Sequence, residues 1–200
     1  MKKTKTQNIL ELVRQKGVVR PKDLDEFQIP RIYLQRLKDK GLLYRVARGL
    51  YSITNAEVSE YHTLVEASKR VPNGVICLLS ALQYHGITTQ NPSKVWMAIR
   101  QKAWRSQIER PSIRFFHYSD LAYKTGISEY KIESSIVKIY NPAKTIIDCF
   151  KYRNKIGLDI AIEALKDGYQ QRKCSINELW QYAEICRVKK VIKPYLESII

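Results

Sequence analysis

The sequence predicts an α+β protein: an N-terminal winged helix-turn-helix followed by a mixed α/β domain with a helical C-terminal third. Three observations carry this. Three short helical patterns precede a Gly-turned ribbon in about the first 54 residues. Apolar runs of strand length, rich in β-branched and aromatic residues, occupy the middle of the chain. After Pro142 the apolar spacing is helical almost to the end.

The elements follow in order. Ile9, Leu10 and Val13 mark one face of a helix over Thr6–Lys16, and Gly17 ends it. Pro21 suits the first turn of a second, short helix, with Asp23 favourable near its positive end and Leu24 and Phe27 as its apolar members. Pro30 opens a third helix that runs to Lys40, with Gly41 as a left-handed residue just past its end. The stretch LLYRVARGLYSI, residues 42–53, reads as a hairpin in which Gly49 takes the positive φ of a three-residue loop. Residues 55–62 form a polar connector, which sets expected domains at 1–54 and 63–200.

The second domain begins with a helix over Thr63–Val71 and a turn at Pro72-Asn73-Gly74. Val75–His85 reads as a buried helix ended by Gly86. Lys94–Ile99 and Ser112–Tyr118 read as strands, and Tyr130–Ile132 with Ile136–Tyr140 as a further hairpin. Helices are expected over Pro142–Tyr152, Gly157–Gln171, Ser175–Arg187 and Lys189–Ile200. Ser175 with Glu178 three residues later is a capping box.

Charge points to a partner. Thirty-five Lys and Arg stand against 19 Asp and Glu, a net +16 that implies a polyanion or an acidic protein. Residues 1–54 carry 13 of the basic and 5 of the acidic residues, so the density is highest there. On a helical wheel Leu34, Leu37, Tyr33 and Pro30 share one side of the third helix. Arg31, Ile32, Gln35, Arg36 and Asp39 point the other way, with Lys38 at the margin. Arg pairs bidentately with guanine, Gln with adenine, and Ile touches a thymine methyl. Arg45 and Arg48, on the ribbon, are then placed to meet phosphate or the adjacent minor groove. A solvated amphipathic helix would show the same wheel; the preceding turn, the following ribbon and the basic balance favour double-stranded DNA.

No catalytic constellation stands out. Ser80 and His85 are five residues apart on a predicted helix and cannot meet, and no acid orients the histidine. Asp148, amid apolar residues, is best explained by pairing with Lys144 or Arg153. Lys144, Lys151, Arg153 and Lys155 form a possible secondary basic cluster, solvated or facing nucleic acid. Trp96, Phe115 and Phe116 lie in apolar strands and are expected in the core. Cys77, Cys149, Cys174 and Cys186 lack metal-ligand spacing, so neither a metal nor a cofactor is expected. No phosphate-binding glycine motif occurs. No signal peptide or membrane-length apolar run occurs, which leads to the expectation of a cytoplasmic protein with reduced thiols and no membrane partner.

Three segments in this order, VARGLYSI, ICLLSALQYHGITTQNPSKVWMAI and NPAKTIIDCFKYRNKIGLDIAIEAL, resemble the AbiEi-type antitoxins. The resemblance runs from the first helix to about Leu165. It implies a winged helix that binds operator DNA and represses its own operon, here through Arg31, Gln35, Arg36, Lys38, Arg45 and Arg48. It also implies a C-terminal domain that counteracts a nucleotidyltransferase-like toxin, in the manner of type IV systems where no stable complex need form. Some members of the family lack an adjacent toxin gene and look like stand-alone regulators. Several copies could also line up on repeated half-sites in DNA.

Overall fold

The computed structural model describes residues 4–53, 59–101, 111–133 and 135–199. Residues 55–58 of the expected connector at 55–62 lie outside them. The fold is α+β, and the chain divides into two compact units. The first comprises residues up to Arg70 together with Tyr130–Val137; the second comprises Val71–Glu129 and Lys138–Ile200.

In the first unit, α1 (Lys5–Lys16) starts at a capping box in which the Thr4 hydroxyl accepts from the Gln7 N–H and the Gln7 side chain accepts from the Thr4 N–H. The second helical segment is a 3-10 turn over Pro21–Phe27. It closes on Gln28 in the left-handed region, and α2 (Ile32–Asp39) follows. Pro30 and Arg31 therefore precede α2 rather than open it. The end of α2 satisfies its orphan carbonyls by a Schellman arrangement. The Gly41 N–H donates to Lys38 O at 2.9 Å and the Leu42 N–H to Leu37 O at 3.0 Å, with Gly41 at φ +70°.

β1 (Leu43–Ala47) and β2 (Leu50–Ile53) form an antiparallel hairpin around Arg48 and Gly49, the latter at φ +73°. The loop proper is two residues, not three; the extra residue appears as an irregularity between Arg45 and Ala47. β2 is fixed to the segment after α1: Val19 and Tyr51 exchange both backbone hydrogen bonds, at 2.9 and 3.0 Å, and Ser52 Oγ donates to Gly17 O at 2.8 Å. Ile9, Leu12, Val13, Leu24, Leu34, Leu37 and Leu43 build the core beneath. α3 (His62–Arg70) and Tyr130–Val137 complete this unit. There Glu133 accepts from the Ser59 N–H at 2.7 Å and lies 2.7 Å from His62 Nδ1, while Ser135 Oγ donates to Lys16 O.

A five-stranded sheet of order β5-β4-β3-β7-β6 lies mainly in the second unit, while the Tyr130–Ile132 part of β6 and the Ser135–Val137 part of β7 count with the first. Its strands are β3 (Val75–Ile76), β4 (Val95–Arg100), β5 (Ile113–Tyr118), β6 (Ile127–Ile132) and β7 (Ser135–Tyr140). β4 pairs antiparallel with β3 and parallel with β5, and β3 pairs parallel with β7. The expected helix over Val75–His85 is corrected: Val75 and Ile76 are the sheet's central strand, and α4 spans only Leu78–His85. A continuous apolar run buried on both sides carries no period that separates strand from helix. α5 (Asp120–Lys124), not anticipated, links β5 to β6. α6 (Pro142–Lys151), α7 (Arg153–Ile156), α8 (Leu158–Gln170), α9 (Ile176–Ile185) and α10 (Lys189–Glu197) supply the helical third. Ser175 and Glu178 form the expected capping box. Trp96 and Phe116 are buried, as expected, with stacked rings 4.9 Å apart.

Candidate nucleic-acid interface

α2 buries one stripe and exposes the other. Leu34 and Leu37 are buried and Tyr33 is half-buried, while Arg31, Ile32, Gln35, Arg36, Lys38 and Asp39 are exposed. Ile32 is 53% exposed, which is unusual for so large an aliphatic side chain. The packing of α2 on α1 and β1 sets this orientation, because the i, i+3 leucines must face the core.

The polar side chains on this face are organised. Arg31 grips Asp25 with two hydrogen bonds, from its terminal nitrogen at 2.8 Å and from Nε at 3.3 Å. The Arg31 guanidinium is held further above its ordinary value by this hydrogen bond and by the charge of Asp25. Both side chains are exposed, so the pair is weak and open to exchange with another anion. Gln35 Nε2 donates to Asp39 Oδ1 at 2.8 Å. Arg36 and Lys5 lie over the Tyr33 ring, 5.4 and 5.9 Å from its centroid. Sequence reasoning missed Lys5 because it belongs to α1 and no wheel of α2 contains it. It also missed Asp25 as the partner of Arg31, six residues away across a turn.

On the hairpin, Arg48 sits exposed in the two-residue loop, and Arg45 is exposed with Nε donating to Ala47 O at 3.2 Å. That bond turns Arg45 back along its own strand. The unit thus presents an exposed cationic helix face and an exposed cationic loop.

The secondary basic cluster does not hold together as a surface. Lys144 is fully buried, with Nζ 2.5 Å from Asp148 Oδ2, which is also fully buried. The two lie one turn apart on α6. The ammonium also lies 4.2 Å from the Tyr140 ring centroid and 4.9 Å from that of Tyr118. Lys144 is therefore withdrawn from any external ligand; sequence reasoning could not tell its burial from that of its neighbours. Arg153 is half-buried and donates to Phe150 O at 2.9 Å, Lys151 is half-buried, and Lys155 is exposed.

Ser80 and His85 have separate partners. The Ser80 hydroxyl accepts from the Trp96 N–H at 2.9 Å, and His85 Nε2 lies 2.7 Å from Tyr140 O. The four thiols are buried. Burial, with the charge of Asp148 second, pushes Cys77 and Cys149 well up and Cys186 to about 12, so the protonated forms dominate at neutral pH. No helix among the described residues is long and apolar enough to cross a membrane.

Comparison with known proteins bears on both units. Residues 7–54 match the family described as "Transcriptional regulator, AbiEi antitoxin". No curated protein matches the chain. Among solved structures, the chain is similar to the crystal structure of the RV2827C protein from Mycobacterium tuberculosis. The TM-score is 0.60 at 13% identity, over 94% of this chain and 75% of that one. At that identity the likeness is one of fold.

Proposed function

We propose that this chain is an antitoxin-type transcriptional regulator that binds operator DNA through a winged helix-turn-helix, represses its own operon and counteracts a nucleotidyltransferase-like toxin. The family match over residues 7–54 supports a regulator of the AbiEi antitoxin kind. The single observation that carries the DNA-reading role is the exposed face of α2, where Arg31, Ile32, Gln35, Arg36 and Lys38 stand clear of a core made by Leu34 and Leu37. In this reading α2 enters the major groove, Ile32 meets a thymine methyl, and Arg31 and Gln35 exchange their carboxylate partners for base edges. Arg48, at the hairpin loop, meets phosphate or the neighbouring minor groove. Arg45 joins it once its backbone contact is released.

Fluorescence anisotropy with duplex DNA from upstream of the protein's own gene tests this. With about four to six phosphates neutralised, log K against log salt falls with a slope near −0.9 per phosphate. A flat response, or equal affinity for operator and random duplex, would sink the reading. A second reading, a stand-alone regulator without a toxin, is favoured by one observation: the family match is confined to the α2-containing segment, residues 7–54. Growth rescue from a nucleotidyltransferase-like toxin encoded beside the gene separates the two.

A further inference from the structure

The open end of the second unit's sheet carries a group of cations that the function above does not use. Trp96 on β4 and Arg114 on β5 are register partners. β5 ends the strand order, so its outer side has no neighbouring strand among the described residues. The Arg114 guanidinium carbon lies 4.5 Å from the Trp96 ring centroid and 5.4 Å from that of Phe116. Lys155 Nζ lies 5.8 Å from the same Phe116 ring, and Lys151 Nζ lies 5.6 Å from the Tyr118 ring. Next to Trp96 and Arg114 is a cleft of about 440 Å³, lined also by Leu79, Pro92, Ser93, Lys94 and Ile113.

Among the described residues no carboxylate lies within 4.0 Å of Lys94, Arg114, Lys151 or Lys155; the ion pairs all join other residues. Like charges gathered on one surface repel one another, and among the described residues no acid within 4.0 Å offsets them. The rings hold the cations in place at a distance suited to cation–π attraction, which leaves the guanidinium's N–H edges available. A stacked arginine with open N–H edges beside a lysine is a ready donor of hydrogen bonds to phosphate oxygens. The rest of the lining is apolar, apart from the Ser93 hydroxyl, and suits a flat heterocycle.

We infer that this cleft binds one nucleotide unit, with its phosphate on Arg114 and Lys94 and its base against Leu79, Pro92 and Ile113. The unit comes either from a free mononucleotide or from the end of a single strand; both present the same chemistry. The site is independent of the α2 face and does not rest on the operator-binding reading.

The test uses the full chain, ¹⁵N-labelled, and follows the Trp96 indole N–H, assigned with Trp96→Phe. Titrants are the 5′-mononucleotides, a 5′-phosphorylated six-nucleotide single strand, and inorganic phosphate. The expected result is a saturable shift at least roughly tenfold tighter for a nucleotide or the strand than for inorganic phosphate, because the base adds its own contact. Saturation by mononucleotides assigns the free source, and saturation by the strand alone assigns a strand end. Arg114→Gln and, separately, Lys94→Gln weaken this binding severalfold or more and leave duplex binding unchanged. Lys94 is exposed and its side chain donates no hydrogen bond to another of the described residues, so its variant reports on the site even if loss of the Arg114 stacking disturbs the fold. No shift with any titrant overturns the inference. So does equal affinity for inorganic phosphate, or a response that both variants preserve.

Discussion

Lys144 and Asp148 show how far a residue's neighbours decide its role. On α6 their i, i+4 spacing permits an ion pair, and full burial makes that pair obligatory. Asp148→Ala strands an ammonium between two tyrosine rings and is expected to destabilise the protein by about 3–5 kcal/mol, whereas the double change Lys144→Met, Asp148→Leu costs less than either single change. Urea unfolding of the three variants measures this; equal losses for single and double changes would refute it. His85 supplies a pH dependence. Burial lowers its pKa from the ordinary 6.5, the Tyr140 carbonyl partly opposes this, and Lys173 lowers it further. Below 6.5 the unfolded chain takes up a proton that the folded chain resists, so stability falls as pH drops through that value toward the folded one. His85→Gln should flatten this part of the stability–pH curve. The sequence left Lys144 and Arg153 as partners for Asp148, and the helical i, i+4 spacing made Lys144 legible as one of them. The burial of Lys144 was not, since it depends on Tyr118 and Tyr140 arriving from two strands.

At the scale of the element, α2 and the hairpin were legible nearly in full, and for local reasons. Leucine spacing gave the buried stripe of α2, Gly41 its end, and Gly49 the hairpin loop. Gly41 allows a clean test: a Cβ there would meet open space, so Gly41→Ala carries only the cost of the left-handed φ. The expected loss is about 1 kcal/mol, with Gly41→Asn losing less. If Ala is as stable as Gly in thermal unfolding, the Schellman end contributes nothing. Under the proposed function, the exposed side chains of α2 and the hairpin should separate by phenotype. Arg31→Ala is expected to lower operator affinity roughly tenfold and relax preference at one base position, whereas Arg48→Ala weakens all duplexes alike. Selection from randomised duplexes reads the difference, and an unchanged base preference for Arg31→Ala would mean that this face does not read sequence. What the sequence concealed at this scale was β3. Its two residues are strand only because β4 and β7 flank them, and no pattern within VIC announces those partners.

For the whole molecule, sequence reading by successive segments puts a boundary near the polar connector. The contacts gather differently, since the first unit also includes α3 and the distant Tyr130–Val137. A linear reading cannot find this, because the join is made by side chains more than 70 residues apart in sequence: Glu133 with Ser59 and His62, and Ser135 with Lys16. The end of α1 carries the consequence. Ser135 Oγ caps the Lys16 carbonyl, and a side chain at Gly17 would collide with the Glu133 carbonyl oxygen. Glu133 itself holds φ +48°, a strained conformation for a non-glycine residue. Removing the Ser135 hydroxyl leaves the part-buried Lys16 carbonyl with the Val18 N–H as its donor, at a cost of about 0.5–1.5 kcal/mol. We therefore expect Ser135→Ala to speed amide hydrogen exchange in α1, more than a hundred residues away in sequence, while exchange in α9 is unaffected. A fragment of residues 1–54, which lacks both α3 and Tyr130–Val137, should exchange faster still and bind duplex more weakly than the full chain. Exchange in α1 that matches the full chain in both the variant and the fragment would show that the first unit stands without Tyr130–Val137. The surface proposed to read operator DNA would then rest on α1, α2 and the hairpin alone.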